Sequence, residues 1–205
     1  NYNMEDDEWF SILFQIIFVL MIAQKYYKFC HNDLHSSNIM FNKTEQEFLY
    51  YKINDENYKI KTYGKIVKII DFGRSTFNYN NEWFISDVFG KDGDAEGQYI
   101  YPTNEYFNPE KSKSPINYSF DLIRLSTTIY ERLDNQPKVR KLINKWMIDD
   151  FNNNIINHND NFDLYIHISK YCHNAKPSNV INDKIFKQYT VNKIPDSENK
   201  YTFIY

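Results

Sequence analysis

His31-Asn32-Asp33-Leu34-His35-Ser36-Ser37-Asn38 follows a long apolar run, and Asp71-Phe72-Gly73 closes the β-branched stretch Lys65-Ile66-Val67-Lys68-Ile69-Ile70. Together the two stretches offer Asp33, Asn38 and Asp71: a carboxylate able to take a proton, and hard oxygen donors of the kind a magnesium ion accepts. Each motif sits at the edge of an apolar element, so packed backbone on one side would fix polar side chains on the other. Phosphoryl transfer from a nucleotide has these needs: a carboxylate at the acceptor hydroxyl, oxygen ligands for the metal, and rigid placement.

Working outward, residues 9 to 28 are apolar on nearly all faces, broken only by Ser11 and Gln15 between Phe10 and Ala23, and read as a buried helix that delivers the chain to His31. At this length, and with Glu5, Asp6, Asp7 and Glu8 before it, the run reads as too short for a membrane span. Residues 48 to 53 and 57 to 61 read as a hairpin that sets Tyr51 and Ile53 against Tyr58 and Ile60 around Asn54-Asp55-Glu56. Residues 65 to 70 read as a strand ending at Asp71. From 74 to 118 periodicity fades, and a long irregular segment is expected, of the kind that forms functional loops. Ser119 is placed as the N-cap of a helix to about Leu133, with Leu122, Leu125, Ile129 and Leu133 on one side. Another helix follows Pro137, with Val139, Leu142, Ile143, Trp146 and Met147 in its stripe and Phe151 extending it. A third is expected over 160 to 173, with Phe162, Tyr165, Ile168, Tyr171 and Cys172 inward. The tail 176 to 205 carries little signal. One domain over 1–205 is the expectation.

Composition narrows the function classes. At 42% hydrophobic and 25% charged residues, the chain can build a core. A net charge of −3 gives no field to gather nucleic acid, so none is expected as a ligand. Two cysteines, Cys30 and Cys172, are too few for a disulfide scaffold in a chain of 205 residues and suit a reducing compartment. Cys30, His31 and His35 lie near one another but lack the recognised pairing that a structural zinc requires. Asp92-Gly93-Asp94-Ala95-Glu96-Gly97 resembles the start of a calcium loop, but Thr103 stands where its bidentate Glu belongs, so a solvated acidic turn is expected.

The two motifs match the protein-kinase template H-R-D-L-x-x-x-N with D-F-G downstream at every fixed letter except the second. On these residues the chain resembles the eukaryotic-type protein kinases. The resemblance implies an α+β fold, the mainly helical large (C-terminal) lobe with small β-hairpins around the catalytic loop. It also implies a serine/threonine-protein kinase with ATP and Mg2+ as cofactors and a protein as substrate. Asp33 would orient and deprotonate the acceptor hydroxyl, while Asn38 and Asp71 would hold magnesium. Asn38, Asp71, Phe72 and Gly73 would form the nucleotide side of the site, and His31 would pack the loop from beneath. Asn108-Pro109-Glu110 resembles the Ala-Pro-Glu that closes the family's activation segment. Asp121, eleven positions on, would tie the catalytic-loop backbone to the helix below, and Glu110 would pair with Arg140.

Departures from the template refine this. Asn32 stands where the family has the Arg that receives an activation-loop phosphate, so activity independent of that phosphorylation is expected. His35, in place of the usual Lys, and the long insert between Asn38 and Asp71 resemble the haspin branch and the kinases of large DNA viruses. The AT-type bias in composition suits the viral comparison, and the resemblance implies an intracellular protein of cytoplasm or nucleus, in a host cell or a virion. The five glycines, at 64, 73, 90, 93 and 97, make no G-x-G-x-x-G phosphate loop, and no Val-Ala-Ile-Lys strand precedes His31. The small lobe that covers ATP is therefore expected outside this sequence, in the same or another chain. Two other readings stand beside the kinase: a pseudokinase or scaffold or virion protein that keeps the lobe as a binding surface, and a small-molecule phosphotransferase of the aminoglycoside or choline kinase type, which His35 also suits.

Overall fold

The apolar run folds as helix α1, Asp6–Tyr27, and the computed structural model describes residues 4–99, 116–157, 162–196 and 200–203 of the chain. Asp6, Asp7 and Glu8 lie in the first turn of α1, where negative charge meets the positive end of the helix dipole. Lys28, in the left-handed region at φ 50°, stops the helix, with the N–H groups of Lys28 and Phe29 returning to the carbonyls of Gln24 and Ala23. Its 22 residues make α1 long and apolar enough to span a bilayer, so the expectation that this stretch is too short does not hold. Its flanking residues supply the missing length. Its apolar side chains are nevertheless spent inside the protein, with Phe10, Leu13, Phe14, Ile17 and Leu20 buried.

The polar interruptions of α1 are its hooks to the strands. Ser11 Oγ donates to the Lys61 carbonyl at 2.6 Å, and Gln15 Oε1 accepts the Val67 N–H at 2.9 Å. These bonds hold α1 against strands β3, Glu56–Lys61, and β4, Lys65–Ile69. Strand β1, Ile39–Lys43, unmarked by the sequence pattern, pairs antiparallel with β4 from Ile39 opposite Ile69 to Lys43 opposite Lys65. Strand β2, Phe48–Ile53, pairs antiparallel with β3 around the expected polar turn, where Asn54 adopts φ 53°. Tyr51 faces Tyr58 as expected, whereas Ile53 faces Glu56 and Ile60 faces Leu49.

The segment from 74 onward is not irregular throughout. Strands β5, Thr76–Tyr79, and β6, Glu82–Ile85, form a hairpin whose turn, Asn80-Asn81, has both residues at positive φ, 51° and 64°. Two asparagines tolerate that conformation well enough to replace the usual Asn-Gly, and the stacked rings of Phe77 and Phe84, 4.9 Å apart, fix the register. A short 3-10 turn follows at Asp87–Phe89.

Helix α2, Phe120–Ile129, starts at the expected place, and a 3-10 turn over Tyr130–Arg132 carries it on towards Leu133. Ser119 makes no side-chain cap; Asn117 Oδ1 accepts the Ser119 N–H at 2.9 Å instead. Helix α3, Pro137–Trp146, has its Pro at the start as predicted, but Phe151 lies beyond its end at 63% exposure and does not extend the stripe. The loop through Asn152 turns back so that Ile148 bridges Asn154, which carries Phe151 outward. Helix α4 is described over Phe162–Tyr171, with residues 160 and 161 outside the described ones.

The tail carries structure that its sequence barely signals: α5, Pro177–Val180; α6, Lys184–Lys187; β7, Thr190–Val191; and β8, Lys200–Phe203. The last two strands flank the β2–β3 hairpin in a four-stranded sheet of order β7-β3-β2-β8, with β8 parallel to β2. Phe186 of α6 closes the core against Phe10 and Phe14, at ring distances of 6.5 and 5.8 Å. The result is a mixed α/β arrangement of helices and small sheets wrapped around α1. Phe14, fully buried among Tyr51, Tyr58 and Phe186, is its aromatic centre. Phe14→Ala is expected to cost about 3–5 kcal/mol in unfolding free energy, read by urea denaturation; a loss under about 1 kcal/mol would contradict this packing.

Candidate active site

The register of β1 on β4 brings the two motifs together. Because Ile39 faces Ile69, the residues just outside the pair are Asn38 and Ile70, and the Ile70 N–H donates to the Asn38 carbonyl at 3.0 Å. Asp71 comes next, at φ 65°, in a left-handed conformation that Asp tolerates better than most side chains. Its side chain is exposed, as are Phe72 and Gly73. The turn closes with the Ser75 N–H donating to the Phe72 carbonyl, and the Phe72 ring lies 5.5 Å from that of His31.

The loop from Cys30 to Asn38 hangs on one buried carboxylate. Asp121, fully buried on α2, accepts the His31 N–H at Oδ2 (2.9 Å) and the Asn32 N–H at Oδ1 (3.0 Å), with the Cys30 thiol 3.5 Å from Oδ1. Burial pushes the Asp121 carboxyl above the ordinary carboxylate value, against the opposing pull of His31 and the two backbone N–H groups. Burial, and then the nearby Asp121 charge, push the Cys30 thiol well above its usual value and keep it an S–H donor. His31 is buried, with Nε2 2.9 Å from the Ile70 carbonyl, so it joins the catalytic-loop stretch to the strand that ends at Asp71.

Asn32, also fully buried, takes φ 64°. Its Nδ2 donates to the Arg74 carbonyl (2.9 Å) and Thr76 Oγ1 (3.0 Å), and its Oδ1 accepts the Tyr99 hydroxyl at 2.5 Å. Cys30 and Thr76 exchange backbone hydrogen bonds alongside. A neutral amide thus fastens the loop to the segment beyond Asp71-Phe72-Gly73.

Asp33 keeps its side chain 19% exposed. Its Oδ1 accepts the Tyr165 hydroxyl at 2.6 Å, and its Oδ2 lies 3.9 Å from both Arg74 Nε and His35 Nε2. Asn38 Nδ2 donates to the Asp33 carbonyl at 2.9 Å and lies 3.2 Å from His35 Nε2, while His35 Nδ1 accepts the Ser37 N–H. Leu34, fully buried, anchors the loop, and the Ser36 N–H donates to Thr128 Oγ1 of α2.

His31, Asp33, His35 and Asn38 therefore occupy one hydrogen-bonded loop tied to Asp121 of α2, with Asp71 joined to it through Ile70. Glu110 lies outside the described residues. The guanidinium of Arg140, its expected partner, meets Asp134 at 3.3 Å and lies over the Tyr130 ring at 4.3 Å. Sequence reasoning missed Arg74, Tyr99 and Tyr165 as members of the site. Tyr165 stood in an apolar helical stripe, and its hydroxyl was the only hint of a polar errand. Removing the Asp121 carboxylate by Asp121→Ala would leave two buried N–H groups unsatisfied and is expected to cost about 2–4 kcal/mol by denaturant titration. A neutral outcome would show that the loop is held by other means.

Comparison with known proteins gives a consistent kinship. A family model described as "Haspin like kinase domain" matches residues 4–94. A probable serine/threonine-protein kinase of Dictyostelium discoideum is 33% identical over 81 residues, covering 37% of this chain and 7% of that protein. The serine/threonine-protein kinase haspin homolog of Drosophila melanogaster is 29% identical over 140 residues, covering 64% and 24%, and bovine haspin 26% over 167 residues, covering 75% and 21%. The chain thus spans at most 24% of the length of these relatives.

Proposed function

We propose that the chain, a member of the protein-kinase-like superfamily, is the catalytic-loop lobe of a serine/threonine-protein kinase, transferring the terminal phosphoryl group of ATP to a protein hydroxyl. The observation that carries this reading is the double role of Asn38, whose amide holds the Asp33 carbonyl while its own carbonyl holds Ile70, next to Asp71. The backbones of the two motifs are thereby held together.

With Nδ2 of Asn38 committed to Asp33, its Oδ1 and the exposed Asp71 carboxylate are the donors left for a cation. Both are hard oxygens, which fits magnesium. Bound there, the metal would neutralise phosphate charge as the bond to the leaving oxygen breaks. The residues of this chain do the rest. Asp33 orients the acceptor hydroxyl and takes its proton as the new P–O bond forms, and the leaving diphosphate keeps the electron pair of the bond that breaks. The lid over the phosphates, in this reading, comes from outside these 205 residues, since they contain no G-x-G-x-x-G. Both cysteines are free and buried, which suits a reducing, intracellular setting.

With full-length protein, radiolabelled ATP and magnesium, Asp33→Asn is expected to lower phosphate transfer to a protein acceptor by about 10²–10⁴-fold without loss of nucleotide binding. Transfer that survives this change would remove Asp33 from the mechanism, and nucleotide binding without any transfer by the unaltered protein would make it a pseudokinase. Phosphatase treatment is expected to leave the rate unchanged, because Asn32 fastens the downstream segment through neutral hydrogen bonds where an Arg would need a phosphate. Loss of all activity on such treatment would reject the expectation.

A further inference from the structure

We propose that Tyr165 is a positioning residue for phosphoryl transfer: its hydroxyl fixes Oδ1 of Asp33 so that Oδ2 is the atom presented to the acceptor hydroxyl. The inference rests on the kinase reading above and adds to it a residue that comes from a helix far along the chain.

The contact is short and directed, with the phenolic O–H donating to Asp33 Oδ1 at 2.6 Å. A donor to one carboxylate oxygen restrains rotation about the Asp33 side chain and leaves the second oxygen distinct from the first. Among the described residues, that second oxygen, Oδ2, has looser neighbours, Arg74 Nε and His35 Nε2, both at 3.9 Å. These distances exceed a direct hydrogen bond, so Oδ2 is not saturated by either.

The Tyr165 ring is itself held on several sides. It stacks on Phe162 at 5.8 Å and 22°, meets Phe120 at 5.8 Å, and has the Arg124 guanidinium over its face at 4.7 Å. Phe120 and Arg124 belong to α2, the helix that also carries Asp121. One helix therefore sets both the backbone of the loop, through Asp121, and the direction of the Asp33 carboxylate, through Tyr165. Burial, and then the hydrogen bond to Asp33, raise the Tyr165 phenol above its usual value, so it stays protonated and donating where a kinase works.

The chemistry balances as in the reading above. The acceptor O–H gives its proton to Oδ2, the acceptor oxygen bonds to the terminal phosphorus, and the bond from that phosphorus to the bridging oxygen breaks with its electrons leaving on the diphosphate. Tyr165 exchanges no proton. Its contribution is the orientation of the carboxylate, which matters because small misplacements of a catalytic group are costly.

Tyr165→Phe removes the hydroxyl and keeps the ring contacts, so the thermal midpoint should hold while kcat falls by about 10- to 100-fold and KM for ATP stays within about twofold. A second readout needs no activity. In protein labelled at the hydroxyl-bearing ring carbon of tyrosine, the Tyr165 resonance, assigned by its absence from Tyr165→Phe, should move when Asp33→Asn replaces the ionised acceptor with a neutral one. Full-length protein that transfers no phosphate overturns the kinase reading and the positioning role with it. If the protein is active, an unchanged kcat in Tyr165→Phe, a rise in kcat, or a Tyr165 resonance indifferent to Asp33→Asn overturns the positioning role alone.

Discussion

A carboxylate buried without exposure to water is costly unless donors surround it, and Asp121 answers that demand with the N–H groups of the very residues that precede the proposed base. The backbone of His31 and Asn32 is thereby pinned to α2, and the following residue, Asp33, emerges at a fixed place and angle. Asn32 can adopt its left-handed conformation because an asparagine side chain tolerates it, and the same side chain then reaches Arg74, Thr76 and Tyr99. One buried charge thus determines the path of the loop, and one buried amide joins that loop to the segment after Asp71. The thiol of Cys30 completes the group as a weak third donor.

The second constraint is the pairing of β1 with β4. A two-stranded ladder has little stability alone, and this one borrows rigidity from α1 through Gln15 and the Val67 N–H. Its register sets Asn38 beside Ile70, so the proposed site depends on a strand pair that contributes none of the proposed catalytic residues. A slip by one residue would reverse the faces of β1 and separate Asn38 from Asp71. The His31 ring, bonded to the Ile70 carbonyl, guards the same register from below.

Much of this was legible in the residues. The apolar run announced α1, the alternation in 48–53 and 57–61 announced a hairpin, and the helices beginning near Ser119 and at Pro137 began where capping and periodicity put them. What escaped has physical causes. Strand β1 reads Ile-Met-Phe-Asn-Lys, with most of its side chains exposed, and so lacks the alternation that marks a half-buried strand. The β5–β6 hairpin turns on Asn80-Asn81 without a glycine, and the last strands are ordered by docking on β2 and β3 more than by their own pattern. The motif letters proposed Asp33, Asn38, Asp71 and Asp121 as site residues, but no local signal links Tyr165 to Asp33 across 132 positions. Such a contact exists only after α4 has docked on α2.

In the proposed reading, Asp33, Asn38 and Asp71 serve one metal-bound triphosphate. Manganese, added with a non-hydrolysable ATP analogue to isotope-labelled full-length protein, broadens resonances according to their distance from the ion. The amides of Asp33, Asn38 and Asp71 are expected to broaden together, and Asp71→Ala to abolish the effect at all three. Broadening confined to one motif, or centred elsewhere in the chain, would contradict it.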